Sequence, residues 1–261
     1  MLKEFVSASL AALQVAVGSL SAPPVENNKP YDIPYIIHAA GEINGISGTN
    51  SLEALENAYN RGNRYIELDF SFSSDLKPVC IHDWNYISFP GFDKTKPTYS
   101  EFSKGTVYGT LTPITLESLI SYMKLYEDLY IITDVKDYNI YFAGILKRDY
   151  PSLCDRFIIQ VYSEEQYEYI SGMGFENIIF SLYRLSADKM LSTDFLVNFA
   201  KNNPLFGYTF DAVLCDREGY VEKLLDSGVP LFVHTVNDKD AQQRYFDMGI
   251  SGIYTDNTFH K

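Results

Sequence analysis

Two of the chain's four histidines, His38 and His82, each close a short apolar run, YIIH and PVCIH. An imidazole gives or takes a proton near neutral pH, and cleavage of a phosphodiester is a reaction that needs both operations. Between these histidines the segment YIELDFSF places Glu67 and Asp69 two residues apart. On a strand that spacing puts both carboxylates on one face. Two inward carboxylates are costly without a cation, and a hard ion, Mg²⁺ or Ca²⁺, takes oxygen ligands of this kind. The run IITDVK repeats the pattern with Asp134 and Lys136. An internal salt-bridge network centred on Lys136 is the alternative use of the same residues.

Side chains this far apart in sequence meet only if the elements bearing them share one end of a sheet. After the Pro-rich stretch APPVENNKPYDIP, short apolar runs alternate with helical patterns to the end of the chain, as in βα units on a parallel sheet. The spacing predicts strands over Tyr35–Ala39, Tyr65–Phe70, Leu129–Val135, Phe157–Val161, Asn177–Leu182, Phe210–Cys215, Leu231–Thr235 and Gly252–Thr255. Between the first two, SLEALENAYNRG reads as a helix, with Leu52, Leu55 and Tyr59 at helical spacing and Gly62 as the stop. The run PVCIHDW follows too soon for a parallel crossover, so it returns as a hairpin. A turn between Asp75 and Leu76 would set Asp69 opposite His82. That leaves eight parallel strands, and the fold class expected is α/β, a TIM-type (β/α)8 barrel with a small insertion after an early hairpin. His38 and His82 both end strands, which in such a barrel directs them to the catalytic face.

The expected organisation is an N-terminal segment and linker over 1–34, the barrel over 35–261, and an insertion at about 85–113 across the barrel mouth. With 46% hydrophobic residues, 21 Tyr and 17 Phe, the chain carries more apolar surface than a disordered polymer leaves in water. A formal net charge of -13 argues against a nucleic-acid partner, because such affinity comes from Lys and Arg neutralising phosphates. Cys80, Cys154 and Cys215 form no ligand pattern and no even disulfide set, and read as buried thiols. The opening MLKEFVSASLAALQVAVGSLSA ends in small residues as an export signal does, yet Glu4 offsets Lys3 and polar residues interrupt the apolar run. An export signal and an amphipathic helix packed on the barrel both stay open, and with them a secreted or a cytoplasmic location. No stable membrane span is expected.

Taken in order, HAAGEINGISGTNSLEAL, RYIELDFSFSSDLKPVCIHDW and IITDVK resemble the glycerophosphodiester phosphodiesterase family. That family opens with a His-Arg-Gly strand end, continues with an Asn-containing turn and Glu-x-Asp on strand two, and has a His-Asp pair after a hairpin. FIIQVYS, LFVHTVND and GISGIYTDNTF resemble its later strand motifs, so the likeness runs from Tyr35 to Phe259. The resemblance implies that His38 and His82 are the catalytic acid/base pair. Glu67 and Asp69 would be ligands of one divalent cation, Asn50 the active-site asparagine and Lys136 the matching lysine. Asp134 stands where the family usually has Glu, as a shorter third ligand. Ala39 replaces the family's Arg, and Thr49 replaces the Glu before the asparagine. The Arg would be the natural bidentate partner of a phosphate, so its loss bears on the substrate more than on the reaction class.

His234 in LFVHTVND and Trp84 after the His-Asp pair are expected to line the substrate pocket. Each has a plain alternative, a hydrogen-bonded histidine at a strand end and an indole packed under a loop. The expected partner is a small phospholipid-derived phosphodiester. Related phospholipase-type barrels without that Arg, and a non-catalytic ligand-binding barrel, are the alternative readings.

Overall fold

The computed structural model describes residues 33–88 and 95–258. The expectations for the opening segment therefore lie almost wholly outside the described residues. Twelve strands occur among the described residues, in chain order. They are β1 Tyr35–Ile37, β2 Tyr65–Phe72, β3 Pro78–Cys80, β4 Ile87–Ser88, β5 Thr106–Val107, β6 Ile114–Thr115, β7 Tyr130–Val135, β8 Phe157–Val161, β9 Ile178–Ser181, β10 Gly207–Asp211, β11 Leu231–His234 and β12 Gly252–Thr255.

Eight of them, β1, β2 and β7 to β12, pair in parallel, and the Ile37↔Ile66 contact of β1 with β2 closes the ring. This is the barrel that the alternating apolar runs predict. Strand β2 is far longer than β1, so its last residues overhang the ring and pair instead with β3, antiparallel. Helices cover the outside. The first, Leu52–Asn60, is capped by the Ser51 side chain on the Ala54 amide and buries Leu55 toward the sheet. No helix among the described residues is long and apolar enough to cross a membrane.

Inside the ring the N-terminal half is sealed by Ile36, Ile132, Ile158, Ile179 and Phe232. The Phe232 ring is accommodated by two glycines: a Cβ at Gly207 would come within 2.5 Å of it, and one at Gly252 within 2.9 Å. Polar residues line the other half. An apolar plug below and strand-end side chains above leave the polar groups gathered at the C-terminal face, where barrels of this kind carry their sites.

Two sequence expectations need correction. Phe210–Cys215 is not a strand: β10 runs earlier, from Gly207, and Ala212–Asp216 is a 3-10 helix. The Asp211 side chain accepts from the Val213 amide at 2.9 Å and turns the chain out of the sheet. The hairpin register also differs by one residue. Phe70 faces Cys80 and Phe72 faces Pro78, so Asp69 stands opposite Ile81, whose amide it accepts at 3.0 Å, and not opposite His82. The cause is a loop of three residues, Ser74 to Leu76, closed by the Ser73 amide on the Lys77 carbonyl, with Leu76 left-handed at φ 57°.

Beyond the hairpin, β4 and β5 form a small ribbon and β6 pairs with β3. Phe102, Val107 and Leu111 from this region pack with Val79 and Ile81 as a satellite core beside the mouth.

Candidate active site

The strand geometry places Glu67 and Asp69 on the inner face of β2, and the register sets Asp69 beside Asp134 of β7. Oxygen atoms of Glu67, Asp69 and Asp134 lie within 4.8 Å of one another. Each carboxylate is held by a different part of the chain. Glu67 accepts from the Ala39 amide at 2.8 Å. Asp69 is gripped by Asn50, whose Nδ2 donates to Oδ2 at 2.9 Å while its Oδ1 accepts from the Asp69 amide at 2.9 Å. Lys136 Nζ donates to Asp69 at 3.1 Å and to Asp134 at 3.0 Å.

The backbone is strained where it supports these acids. Ala39 and Ala40 are successive left-handed residues, at φ 45° and 67°, and Asn50 is left-handed at 49°. Such conformations cost about 1–2 kcal/mol each for an L residue and persist where neighbouring bonds fix them. Here the bond from the Ala39 amide to Glu67 depends on that turn. Thr49 is buried and bonds to Ser51 at 2.9 Å, so it supports the helix start.

The electrostatics favour a cation. Burial and the Asp69 charge push the Glu67 carboxyl above its ordinary range. Burial works against the Lys136 ammonium, but Asp69 and Asp134 outweigh it and hold the lysine charged. One ammonium among three acids leaves negative charge uncompensated, and an all-oxygen donor set suits a hard divalent ion. The residues present therefore fit such an ion.

The histidines flank this cluster on two sides. His38, one residue past β1, bounds a cavity of about 70 Å³ with Glu67, Asp134, Gln160, Ser181 and His234. Its Nδ1 is 2.8 Å from Asp256 Oδ1, and Asn237 donates to the other oxygen of Asp256 at 2.7 Å. Burial alone would lower the His38 imidazole, but the Asp256 bond and the charges of Glu67, Asp256 and Asp69 raise it to about 9. His82 is exposed, in a separate concavity of about 240 Å³ shared with Asp69, Trp84, Lys96, Lys136 and Tyr138. Trp84 meets Phe102 edge-on at 6.0 Å and carries Lys96 Nζ 5.4 Å above its ring.

His234 joins the His38 side, its Nε2 buried with no hydrogen-bond partner and its ring edge-on to Tyr183 at 6.0 Å. All nine residues singled out in the sequence thus surround one barrel mouth. Sequence reasoning assigned no role to Asp256, Asn237, Tyr162 or Tyr183. Asp256 had a legible signal, an acid one residue beyond a barrel strand; the tyrosines had none among the 21 in the chain.

Residues 38–89 match the model of the glycerophosphoryl diester phosphodiesterase family. The matched segment carries the His38 turn, Asn50, Glu67, Asp69 and His82, and ends before β7 supplies Asp134 and Lys136. No curated protein matches the chain. Among solved structures it is similar to a glycerophosphodiester phosphodiesterase from Parabacteroides distasonis, at 22% identity and TM-score 0.66, over 87% of this chain and 94% of that one. A Thermotoga maritima glycerophosphodiester phosphodiesterase gives 19% and 0.64, over 87% and 96%. An Oleispira antarctica phosphodiesterase in complex with the product sn-glycerol-3-phosphate gives 15% and 0.64, over 86% and 93%. At these identities the structural likeness establishes the shared barrel.

Proposed function

We propose that the chain is a phosphoric diester hydrolase that uses one divalent cation, Mg²⁺ or Ca²⁺, to cleave a glycerophosphodiester into glycerol phosphate and an alcohol. The observation that carries this reading is the convergence, at one barrel mouth, of three carboxylates with a histidine on each side, in a chain whose 38–89 segment matches the family.

Glu67, Asp69 and Asp134 would hold the ion, which when bound supplies polarisation of the phosphate and charge neutralisation. Lys136 adds a fixed positive charge against the same phosphate oxygens. His38 is the proton donor in this reading. Asp256 occupies its Nδ1 and keeps the ring charged, which leaves Nε2 to deliver a proton to the leaving alkoxide oxygen. His82, open to solvent, is the acceptor that takes the proton from the attacking hydroxyl, whether that belongs to water or to the substrate's own glycerol. His234, Trp84 and Asn50 complete the pocket, Asn50 by holding Asp69 in place.

The test is release of glycerol phosphate from glycerophosphocholine, glycerophosphoethanolamine and glycerophosphoinositol by the full chain, with Mg²⁺, with Ca²⁺ and with chelator. Ion-dependent turnover of at least one diester is expected. Absence of turnover on all of them, and on an aryl phosphodiester, would leave a ligand-binding barrel as the better account.

A further inference from the structure

Asp134 accepts from three side chains, Lys136, Tyr162 and Tyr183, more than either of its partner acids. Tyr162, the residue after β8, is buried, and its hydroxyl donates to Asp134 Oδ1. The Val135 amide donates to that same phenolic oxygen at 3.1 Å. A phenol has a single proton, so with Val135 donating to its oxygen that proton is committed to Asp134. Tyr183, after β9, brings a second hydroxyl to 3.2 Å from Oδ1, and Lys136 Nζ donates to Oδ2 at 3.0 Å. The two tyrosine rings meet edge to face at 5.6 Å, so they support one another. An ionised carboxylate has roughly four acceptor positions, and three donors leave about one.

We propose that Tyr162 is a positioning residue of the cation site: by fixing Asp134 in one orientation, with one acceptor position left for the ion, it sets how tightly the site binds a divalent cation. This rests on the metal-dependent reading above. Tyr183 acts on the same carboxylate from the more exposed rim and has the smaller share. The three acids are then presented by three independent devices: the Ala39 amide for Glu67, the Asn50 amide group for Asp69, and a tyrosine pair for Asp134.

The test is calorimetric titration of the ion-free full chain with Mg²⁺ alone and with Ca²⁺ alone, comparing wild type, Tyr162→Phe and Tyr183→Phe. Tyr162→Phe should weaken the ion dissociation constant by about 10–100-fold, the range typical for losing an outer partner of a metal ligand, and Tyr183→Phe by less. Tyr162→Phe also strands the Val135 amide, so its melting temperature in chelator should fall; a purely structural role predicts that too. The separating measurement is the Asp134→Asn background, where Tyr162→Phe should change ion affinity no further. Wild-type affinity in Tyr162→Phe overturns the proposal and leaves the metal reading intact, whereas no ion binding by the wild type overturns both. If Tyr162→Phe does not fold, an unchanged dissociation constant in Tyr183→Phe counts against the proposal.

Discussion

His38 lies against the barrel interior, tied to Asp256 at 2.8 Å, whereas His82 stands exposed beyond the end of β3, on a hairpin that overhangs the ring. One side of the mouth is built by barrel strands and packed with fixed partners. The other is built by the overhang of β2 and the small satellite core around Phe102. Two histidines equivalent in sequence, each ending an apolar run, are thus placed in different surroundings, one tied to a carboxylate and one exposed. A ring fixed to a carboxylate and near two more stays charged, which suits an acid. A ring exposed on the hairpin faces the solvent from which an attacking hydroxyl arrives, which suits an acceptor.

The largest expected effect removes what the two sides share. Glu67→Gln with Asp69→Asn should lower turnover on the order of 10⁴-fold, since a bound cation supplies several kcal/mol of transition-state charge stabilisation. It should also abolish the rise in melting temperature expected from a divalent ion that binds the folded state. In chelator the double variant should lose little stability, because relief of the repulsion between acids offsets the lost bonds from Ala39 and Asn50. Retained ion-dependent turnover would break the comparison at its centre, as the histidines would then flank no cation.

Next come the histidines separately. His38→Ala and His82→Ala should each reduce kcat by about 10²–10⁴-fold. They should differ in stability: His38→Ala leaves the Asp256 carboxylate without its ring partner and lowers the melting temperature, while His82→Ala, at an exposed position, leaves it unchanged. Equal thermal effects would erase the asymmetry on which the acid and base roles rest.

Asp256→Asn sharpens the same comparison through pH. His38 is raised from 6.5 to about 9, so its pairing adds stability that is present in full below about 6.5 and is lost as pH rises through about 9. Without the Asp256 charge the imidazole should fall by roughly one to three units. The alkaline limb of the pH–rate profile, where the acid loses its proton, should move down by the same amount, with little change in rate near pH 6. In Asp256→Asn the fall of melting temperature between these limits should shrink. A profile that shifts only on the acidic side would exchange the roles of the two histidines.

Legibility in the sequence follows the same divide. Seven of the eight barrel strands are legible because each is largely buried and reads as an apolar run; the expected bounds of β8 and β12 match to the residue. The acids were legible from their two-residue spacing. Strand β10 was misplaced because Gly207 reads as a breaker, when its missing Cβ is what admits Phe232. Asp256, Tyr162 and Tyr183 act by reaching across strands distant in sequence, and no spacing rule reports that. The hairpin register failed for a local reason. A two-residue and a three-residue turn both fit the Ser73–Lys77 stretch, and the choice depends on one residue adopting a left-handed backbone.

That residue is Leu76, and it supports the smallest prediction. It is 53% exposed at φ 57°, a conformation that asparagine, with a short polar side chain able to hydrogen-bond locally, adopts at lower cost than leucine. Leu76→Asn should therefore stabilise the protein by roughly 0.5–1 kcal/mol, about 1–4 °C in melting temperature for a domain of this size. Kinetic constants should stay at wild-type values, because the three-residue turn and the register that carries His82 are retained and made more favourable. Should stability fall while turnover holds, the Leu76 side chain must contribute packing that outweighs its strain. A change in turnover would mean that the hairpin's position, and with it the placement of His82, responds to the turn more finely than the paired residues Phe70 to Phe72 allow.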